Sequence, residues 1–416
     1  MSGALDTVTV LEIGDGAVEF AGKLLADLGA TVTKLEPHGG ARSRGEAPFL
    51  DGDSASDRSL RFWAHNANKR SAVLDLRVPE ARDALVSLAR GADVVLDGLG
   101  PGRLEAWGIG PERLRAANPR LVHATTTPFG ADGPWSGLRA SDLVHLALGG
   151  TAAMSGYDDL PGADSVPSAP SGGQAAHLAG VKTAIGVMIA LAARQRGHPG
   201  QHVDVAVHDA VATSNEWGVP FWTFQHQDVH RHTARHASSD PVTRRQMFRC
   251  RDGKYVTALT LYMNDSMRFD GLVAWMAEHG LAADLAAPEY RDVSYRTERM
   301  DHIVDVIERF CGELDSAEVF HGAQRRRLPW APVNDAWELL DDPHLSEDRK
   351  AFAQLTDEVT GTTVTYAGPP YRLSATPWAL RTRPPRLGEH TAEVLAAAGF
   401  GPDQTAQLAA QYGRLA

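Results

Sequence analysis

The chain has 416 residues, of which 43% are hydrophobic and 22% charged, a composition typical of soluble globular proteins. Its net charge of −11 disfavours nucleic acid and anionic membranes as general partners, although a local basic pocket is still compatible with phosphate groups. Two cysteines without metal-type spacing, no signal-type N-terminus and no apolar run of membrane-spanning length indicate a cytoplasmic protein that does not enter a membrane.

The N-terminal half alternates between strand and helix patterns. Residues 8–13 predict a strand, the turn Gly14-Asp15-Gly16 breaks it, and residues 18–28 predict a helix that ends at Gly29 before a strand at 31–35. Further strands are expected at 93–96, 121–126 and 202–207, and helices at 79–90, 101–107 and 142–148. This alternation indicates an α/β protein with a parallel sheet, and no GxGxxG dinucleotide motif accompanies it.

The sequence changes character after residue 223. Residues 224–240 are polar and contain four histidines, which is typical of a linker or a surface loop. Residues 246–261 predict two short strands joined by a turn, and charged helical sequence follows to about residue 325. We therefore expect 1–223 to form the first part of a large α/β domain, 224–328 a linker and a small α+β domain, and 329–416 a return to the large domain with a C-terminal helix.

A long apolar helix follows a Pro/Gly/Ser-rich loop at 167–173. Small residues recur in this helix at helical spacing, so another backbone is expected to pack closely against it: Ala179, Gly180, Thr183, Ala184 and Gly186. A turn at 197–201 separates the helix from the strand at 202–207. Because a helix N-terminus offers free N–H groups and the positive end of its dipole, the loop before this helix is where we expect chemistry.

Several ordered motifs resemble the family III CoA-transferases, which include formyl-CoA transferase, carnitine CoA-transferase and α-methylacyl-CoA racemase. They are LADLGATVTKLEP at 25–37, the long helix with its Gly200-Gln201 turn, APVNDAWELLDDPHL at 331–345, GPPYRLSATP at 368–377 and LGEHTAEVLAAAGF at 387–400. The resemblance implies a large Rossmann-like parallel-sheet domain, a small α+β domain and an interlocked homodimer. It also implies that the substrate is CoA or an acyl-CoA.

The same resemblance exposes a departure from the family pattern. Counting back from Gly186 and Gly200-Gln201, the family's nucleophilic carboxylate falls on Ala176, and the racemase's histidine falls on Ser141. A methyl group cannot form a covalent acyl intermediate. We therefore interpret the chain as a divergent member that lacks the catalytic aspartate, and the alternative is that the alignment slips by one or two residues.

The expected cofactor-binding positions are also altered. Gly98-Leu99-Gly100 stands where the family has an Asn-aromatic-Arg run. We assign cofactor or phosphate contacts to Asp15, His38, Arg44, Lys69 and Arg103, and a divalent-metal site to Glu36 with His38. Arg44, Lys69, Arg103 and His38 are also compatible with an ordinary surface position.

Candidate catalytic residues lie at the start of two helices. Asp142, His145 and His177 are expected to face one pocket, and Asp15 and Glu36 are carboxylates at strand ends, where ligands bind in doubly wound sheets. His226, His230, His232 and His236 are spaced to share helix faces, but we favour a solvated loop for them. The family's glycine loop has no counterpart near 262–265.

Three functional hypotheses remain open from the sequence. The leading one is CoA transfer or acyl-CoA processing without the usual aspartate. The second is a nucleotide-sugar mutase on the same fold, which uses Mn²⁺ or Mg²⁺ to interconvert the pyranose and furanose forms of a GDP-hexose. The third is a non-catalytic subunit of a heteromeric CoA-transferase.

Overall fold

The structure is a computed structural model that describes residues 3–53, 57–158, 166–215, 218–235, 244–258, 265–358 and 360–412. The chain forms two compact units. The first comprises Met1–Gly149, Pro170–Ser214 and Pro343–Ala416, and the second comprises Gly150–Ala169 and Asn215–Asp342. The domain boundaries predicted at 224 and 329 therefore fall inside the second unit. Residues 150–169 also belong to the second unit, although no change in composition marks them in the sequence.

A parallel six-stranded sheet organises the first unit. Its strands are β1 (Thr9–Ile13), β2 (Thr31–Glu36), β3 (Arg70–Val73), β4 (Val94–Asp97), β5 (Val122–Thr127) and β6 (His202–Ala206). They lie in the order β3-β2-β1-β4-β5-β6, and every neighbouring pair is parallel. Nearly continuous burial of β1, β2, β4 and β5 matches a sheet covered on both faces. The α/β fold predicted from the sequence is confirmed.

Helices cover both faces of this sheet. They are α1 (Ala17–Asp27), α2 (Leu60–Asn66), α3 (Pro79–Ala89), α4 (Arg103–Ala106), α5 (Pro111–Ala117), α6 (Asp142–Leu148), α7 (Gln174–Gln195) and α8 (Val207–Ala212). The long helix α7 packs along α1, as the small residues predicted. A Cβ added to Gly180 would lie 2.7 Å from the Ala17 carbonyl oxygen, so this crossing requires glycine.

Helix α7 also corrects one expectation from the sequence. By length and composition it is a helix that could cross a membrane, whereas no such run was expected. Its stripe of Ala179, Thr183, Val187 and Leu191 is buried in the first unit. The apolar composition therefore serves packing against α1 and the sheet.

The C-terminal segment returns to the first unit. It contains the antiparallel hairpin β10 (Phe352–Thr356) and β11 (Thr363–Ala367), followed by α14 (Thr391–Ala397) and α15 (Pro402–Tyr412). Val394, Leu395 and Leu408 join the core formed by β3, α3 and α5. Asn68 holds the C-terminal segment against the first unit, because its side-chain oxygen accepts hydrogen bonds from the backbone N–H groups of Arg381 and Thr382 at 2.6 and 3.1 Å.

The second unit is a small α+β assembly. Its strands β7 (Met247–Arg249), β8 (Tyr255–Ala258) and β9 (Trp330–Pro332) form an antiparallel sheet. Its helices are α9 (Gly218–Gln225), α10 (Ser266–Glu278), α11 (Val293–Glu298), α12 (Met300–Gly312) and α13 (Ser316–Arg325). Trp275, Phe310 and Trp330 lie at the centre of its core, with Trp275 edge-on to Phe310 at 4.7 Å between ring centroids.

Candidate active site

A crevice opens at the carboxyl ends of β1, β2 and β4. The strand order changes direction between β1 and β4, and in open α/β sheets ligands bind at this switch point. Gly14 has a φ of +104°, and a Cβ at this position would lie 2.9 Å from the carbonyl carbon of Gly98. The two turns therefore approach through bare backbone, which leaves space above them for a ligand.

The crevice has a volume of about 480 Å³ and is lined by apolar, cationic and acidic side chains. Leu76, Leu99 and Trp107 supply apolar surface. Of its arginines, Arg42 and Arg77 pair with Glu46 and Asp75, whereas Arg103 has no ion pair among the described residues. Arg103 is exposed and lies 5.8 Å from the Trp107 ring centroid. An apolar wall with several arginines suits a nucleotide with phosphates.

Two of the predicted cofactor-binding residues lie at this crevice and one lies beside it. Asp15 and Arg103 line it. The Asp15 carboxylate accepts hydrogen bonds from the Arg42 backbone N–H and the Ser43 hydroxyl. His38 is exposed next to the crevice, and its backbone N–H donates to Asp75 at 3.2 Å. These three residues remain candidates for ligand contact.

Arg44 and Lys69, in contrast, are interior residues. The Arg44 guanidinium forms a two-pronged pair with Glu36, at 2.7 and 2.8 Å, and also pairs with Asp57. It stacks over the Phe62 ring at 3.9 Å and is 5% exposed. Lys69 is 2% exposed. The expectation that these two residues contact a cofactor is therefore not supported, because their charges are already satisfied inside the protein.

Lys69 belongs to a buried group of four charges between the sheet and α1. Its ammonium pairs with Glu12 at 2.8 Å, and Lys34 pairs with Glu12 and Glu19, each at 3.1 Å. Two carboxylates and two ammonium groups balance one another in this dry interior. Burial alone would raise the pKa of Glu19, but Lys34, His65 and Lys69 outweigh it and hold that pKa well below its ordinary value.

The predicted metal site at Glu36 and His38 is not supported either. Both Glu36 oxygens accept hydrogen bonds, from Arg44, from the Ser71 hydroxyl and from the Ala41 backbone N–H. Because Glu36 is 1% exposed and His38 lies outside in solvent, the two side chains do not share a ligand position. Among the residues that the structure describes, no group of three His, Cys, Asp or Glu side chains is arranged to hold a metal ion.

Asp142 lies beside the N-terminus of α7, which carries His177 in its first turn, and His145 lies one turn further along α6. The expectation that the three side chains face one pocket stays a prediction. Asp142 accepts hydrogen bonds from the backbone N–H groups of Ala175 and Ala176, at 2.8 and 3.4 Å. Burial lowers the pKa of both histidines below the usual range. His208 adds to this effect at His145, and His65 and Arg61 add to it at His177. The negative charge of Asp142 raises both pKa values but does not outweigh these effects. Both imidazoles are therefore neutral at pH 7.

One partner in this region escaped the sequence analysis. The Nε2 atom of His65, on α2, lies 3.2 Å from Nε2 of His177. The two residues are 112 positions apart, so no spacing pattern connects them. Ser141, where the family pattern places the racemase's histidine, precedes α6, and its hydroxyl accepts a hydrogen bond from the Val144 N–H as a helix cap.

Three of the four histidines in the 224–240 segment are described, and they belong to the second unit. His226 and His230 follow the end of α9 in irregular backbone. His232 Nδ1 lies 2.9 Å from an Asp158 oxygen within the second unit, and the ring of His230 is 6.5 Å from that of His232. His236 and residues 262–264 lie outside the described residues.

Comparison with known proteins identifies the family. The sequence matches CoA-transferase family III over residues 5–391. The chain belongs to this family. It is 31% identical to the succinyl-CoA:(R)-benzylsuccinate CoA-transferase subunit BbsE of Thauera aromatica, with 92% of this chain and 91% of that protein covered. It is also 31% identical to the succinyl-CoA:mesaconate CoA-transferase of Haloarcula hispanica, with 96% and 97% covered.

A third relative is the succinyl-CoA–L-malate CoA-transferase β subunit of Chloroflexus aurantiacus, at 30% identity with 94% and 91% covered. Among solved structures, a CAIB/BAIF family protein from Brucella suis has a TM-score of 0.81 at 24% identity, covering 96% of this chain and 100% of that chain. Rv3272 from M. tuberculosis has a TM-score of 0.76 at 23% identity, covering 94% and 99%. The chain is thus an enzyme of a CoA-transferase family, and these comparisons give no support to the nucleotide-sugar hypothesis.

Proposed function

We propose that this family III enzyme binds an acyl-CoA thioester in the crevice at the ends of β1, β2 and β4 and transfers CoA to a carboxylic acid. The crevice carries this proposal, because its apolar wall and its arginines suit the adenine and the phosphates of CoA. Three of the relatives are named for succinyl-CoA, so a succinyl-type thioester is the proposed donor. The proposed compartment is the cytoplasm.

Arg61 supports a donor with a second carboxylate. It is 41% exposed on α2, and a Cβ added to Gly173 would lie 3.5 Å from its Nη2 atom, so the guanidinium stands beside the start of α7. Its present partner is Glu46, at 3.0 Å. Arginine binds carboxylates with two parallel hydrogen bonds, and the free end of a succinyl group would supply one.

Isothermal titration with CoA tests the binding site. Arg103→Ala removes a guanidinium from the crevice, and we expect an increase in Kd of about tenfold, as for loss of one charge-assisted hydrogen bond. Arg113→Ala is the matched control, because Arg113 is an exposed arginine on α5 that does not line the crevice. An equal effect of both substitutions would reject the crevice as the CoA site.

Chromatographic detection of new acyl-CoA species tests the reaction. The chain is incubated with succinyl-CoA and a series of mono- and dicarboxylic acids. Arg61→Met is expected to raise the KM for succinyl-CoA about tenfold. The KM for butyryl-CoA, which lacks the terminal carboxylate, should not change. An equal change in both KM values would reject the role of Arg61.

A second candidate function follows from Ala176. If the family's nucleophile position is aligned as the motifs indicate, the chain lacks that carboxylate and would serve as one subunit of a heteromer whose partner provides it. Two of the relatives are named as subunits, which favours this candidate. Activity that appears only after a homologous subunit is added would support it, whereas transfer by the purified chain alone would reject it.

We also propose that the chain assembles as an interlocked homodimer, as the family resemblance implies. Exposed apolar side chains on α7 are consistent with a covered surface: Val181, Ile185, Met188 and Ile189. Light scattering of the purified chain should give twice the 44.7 kDa chain mass. A monomer at micromolar concentration would contradict the proposal.

A further inference from the structure

Three helices meet around Phe20 next to the start of α7. The His177 ring is edge-on to Phe20, at 4.5 Å between centroids, and the His65 ring lies 5.4 Å from the same phenylalanine. The two imidazoles are perpendicular to each other, and their Nε2 atoms are 3.2 Å apart. The aromatic contact and the hydrogen bond together hold both rings in one orientation.

His65 points its other nitrogen at a buried carboxylate. Its Nδ1 lies 3.7 Å from Glu19 Oε2 and has no hydrogen-bond partner among the described residues. Glu19 is 1% exposed, pairs with Lys34, and its Oε1 accepts from Ser43 and Asn66 at 2.7 and 2.8 Å. A buried carboxylate with these partners is ionised.

These contacts favour one pair of tautomers. The ionised Glu19 favours a proton on His65 Nδ1, so His65 Nε2 presents a lone pair. His177 Nε2 must then carry the proton that is shared between the rings. Its Nδ1 is then left with a lone pair. The chain Glu19–His65–His177 thus increases the electron density on one nitrogen at the start of α7.

One end of the relay is hydrogen-bonded toward the crevice, and the other end lies next to Ala176, the position where the family pattern places a carboxylate. Ser43 links its buried end to the crevice, because the Ser43 hydroxyl also lies 3.2 Å from Asp15. His177 directly follows Ala176 in the first turn of α7. Both His65 and His177 are partly exposed. A thioester whose acyl end lies at the start of α7 would meet the His177 imidazole where the family pattern leads one to expect a carboxylate.

We propose that His177 is the nucleophile of this chain and that His65 and Glu19 are its positioning residues, an inference that rests on the proposed CoA transfer. His177 Nδ1 attacks the thioester carbonyl carbon, the C–S bond breaks, and the CoA thiolate leaves. The product is an acyl-imidazole, and the proton on Nε2 passes to His65 as Glu19 stabilises the resulting charge.

The remaining steps restore the enzyme. The acceptor carboxylate attacks the acyl-imidazole, the C–N bond breaks, and the imidazole regains its proton as a mixed anhydride forms. The CoA thiolate then attacks the acceptor-derived carbonyl of that anhydride. This step forms the new thioester and releases the donor acid as its carboxylate. No oxidant, metal or water is consumed.

Rapid-quench experiments with radiolabelled succinyl-CoA test this assignment. With the intact chain, we expect a burst of free thiol matched by one labelled acyl group per chain. The label should be released by hydroxylamine and map to the peptide that contains His177. His177→Gln should abolish the burst and the adduct while CoA still binds in titration. His198→Gln is the matched control, an exposed histidine beyond the other end of α7 that should leave the burst unchanged.

A second variant tests the relay itself. His65→Gln should slow acylation about 10²-fold or more, the scale of general acid–base assistance, and should alter the pH dependence of the burst rate. A merely structural role would change the amount of folded protein but not that pH profile. Thermal unfolding of each variant checks the fold.

The outcomes separate this inference from the proposed function. Failure of the wild-type chain to bind CoA would overturn both. CoA binding without an acyl adduct, or an adduct that persists in His177→Gln, would overturn the histidine assignment alone. Transfer that requires a second subunit with its own carboxylate would do the same.

Discussion

The Asp142 carboxylate of α6 caps α7, since it accepts a hydrogen bond from the Ala175 backbone N–H at 2.8 Å. Asp142 was predicted to be catalytic, and this contact gives it a structural role as a helix cap. It also fixes α6 against the helix that carries His177. A negative charge at this position is stabilised by the helix dipole.

Removal of this cap should destabilise the fold. Asp142→Ala is expected to lower the free energy of unfolding by about 1 kcal/mol, a typical value for loss of an N-terminal cap. Asp142→Asn keeps an acceptor oxygen and should retain most of that stability. Urea unfolding measures both variants. Equal losses in the two would show that the charge, rather than the hydrogen bond, matters.

The buried ion pairs of Lys34 and Lys69 with Glu12 and Glu19 should contribute strongly to the free energy of unfolding. Lys34→Met leaves Glu12 and Glu19 without a shared partner in a dry interior, and we expect a loss of about 3–5 kcal/mol. Arg113→Ala breaks an exposed pair with Asp83 and should cost less than 1 kcal/mol. Denaturant titration of the two variants gives the comparison, and similar small losses would contradict the buried network.

Substitution by alanine should have opposite effects on stability at Gly180, where α1 and α7 cross, and at Gly271, where there is open space. Gly180→Ala forces a methyl group to within 2.7 Å of the Ala17 carbonyl oxygen and should destabilise the protein by about 1–3 kcal/mol. Gly271, within α10, has open space where a Cβ would stand. Gly271→Ala should therefore stabilise the protein by up to about 1 kcal/mol. Thermal unfolding reports both signs, and a neutral Gly180→Ala would refute the close approach.

His145 should make stability depend on pH. Burial, together with His208, lowers its pKa in the folded protein. Below the ordinary histidine value of about 6.5, the unfolded chain takes up a proton that the folded chain resists. The free energy of unfolding should therefore fall as pH decreases through this window toward the folded pKa. His145→Gln should reduce this slope, as measured by urea unfolding between pH 7.5 and 5 (roughly the histidine range). An unchanged slope would contradict the assignment.

The sequence was sufficient for the order and type of most elements in the first unit. Apolar runs of strand length and helical periodicity locate β1, α1, β2 and α6 within one or two residues. The small residues of α7 also indicated a close partner, and α1 fills that role. These are local signals, which act over a few turns of chain.

The buried positions of Arg44 and Lys69 could not be predicted in this way. Charged side chains are usually exposed. The ion pairs of Arg44 with Glu36 and of Lys69 with Glu12, which come from other elements, offset the cost of removing these charges from water. The contact between His65 and His177 has the same origin, since it depends on how α2 and α7 pack. Sequence spacing carries no information about such contacts.

Thermal-shift measurement with CoA, succinyl-CoA and GDP, each with and without Mn²⁺, tests the central claim most directly. A ligand that binds only the folded state raises the unfolding temperature. We predict a shift with CoA and succinyl-CoA that does not depend on Mn²⁺, and a loss of much of that shift in Arg103→Ala. A shift with GDP that requires Mn²⁺, and none with CoA, would contradict the assignment of this crevice to a CoA thioester.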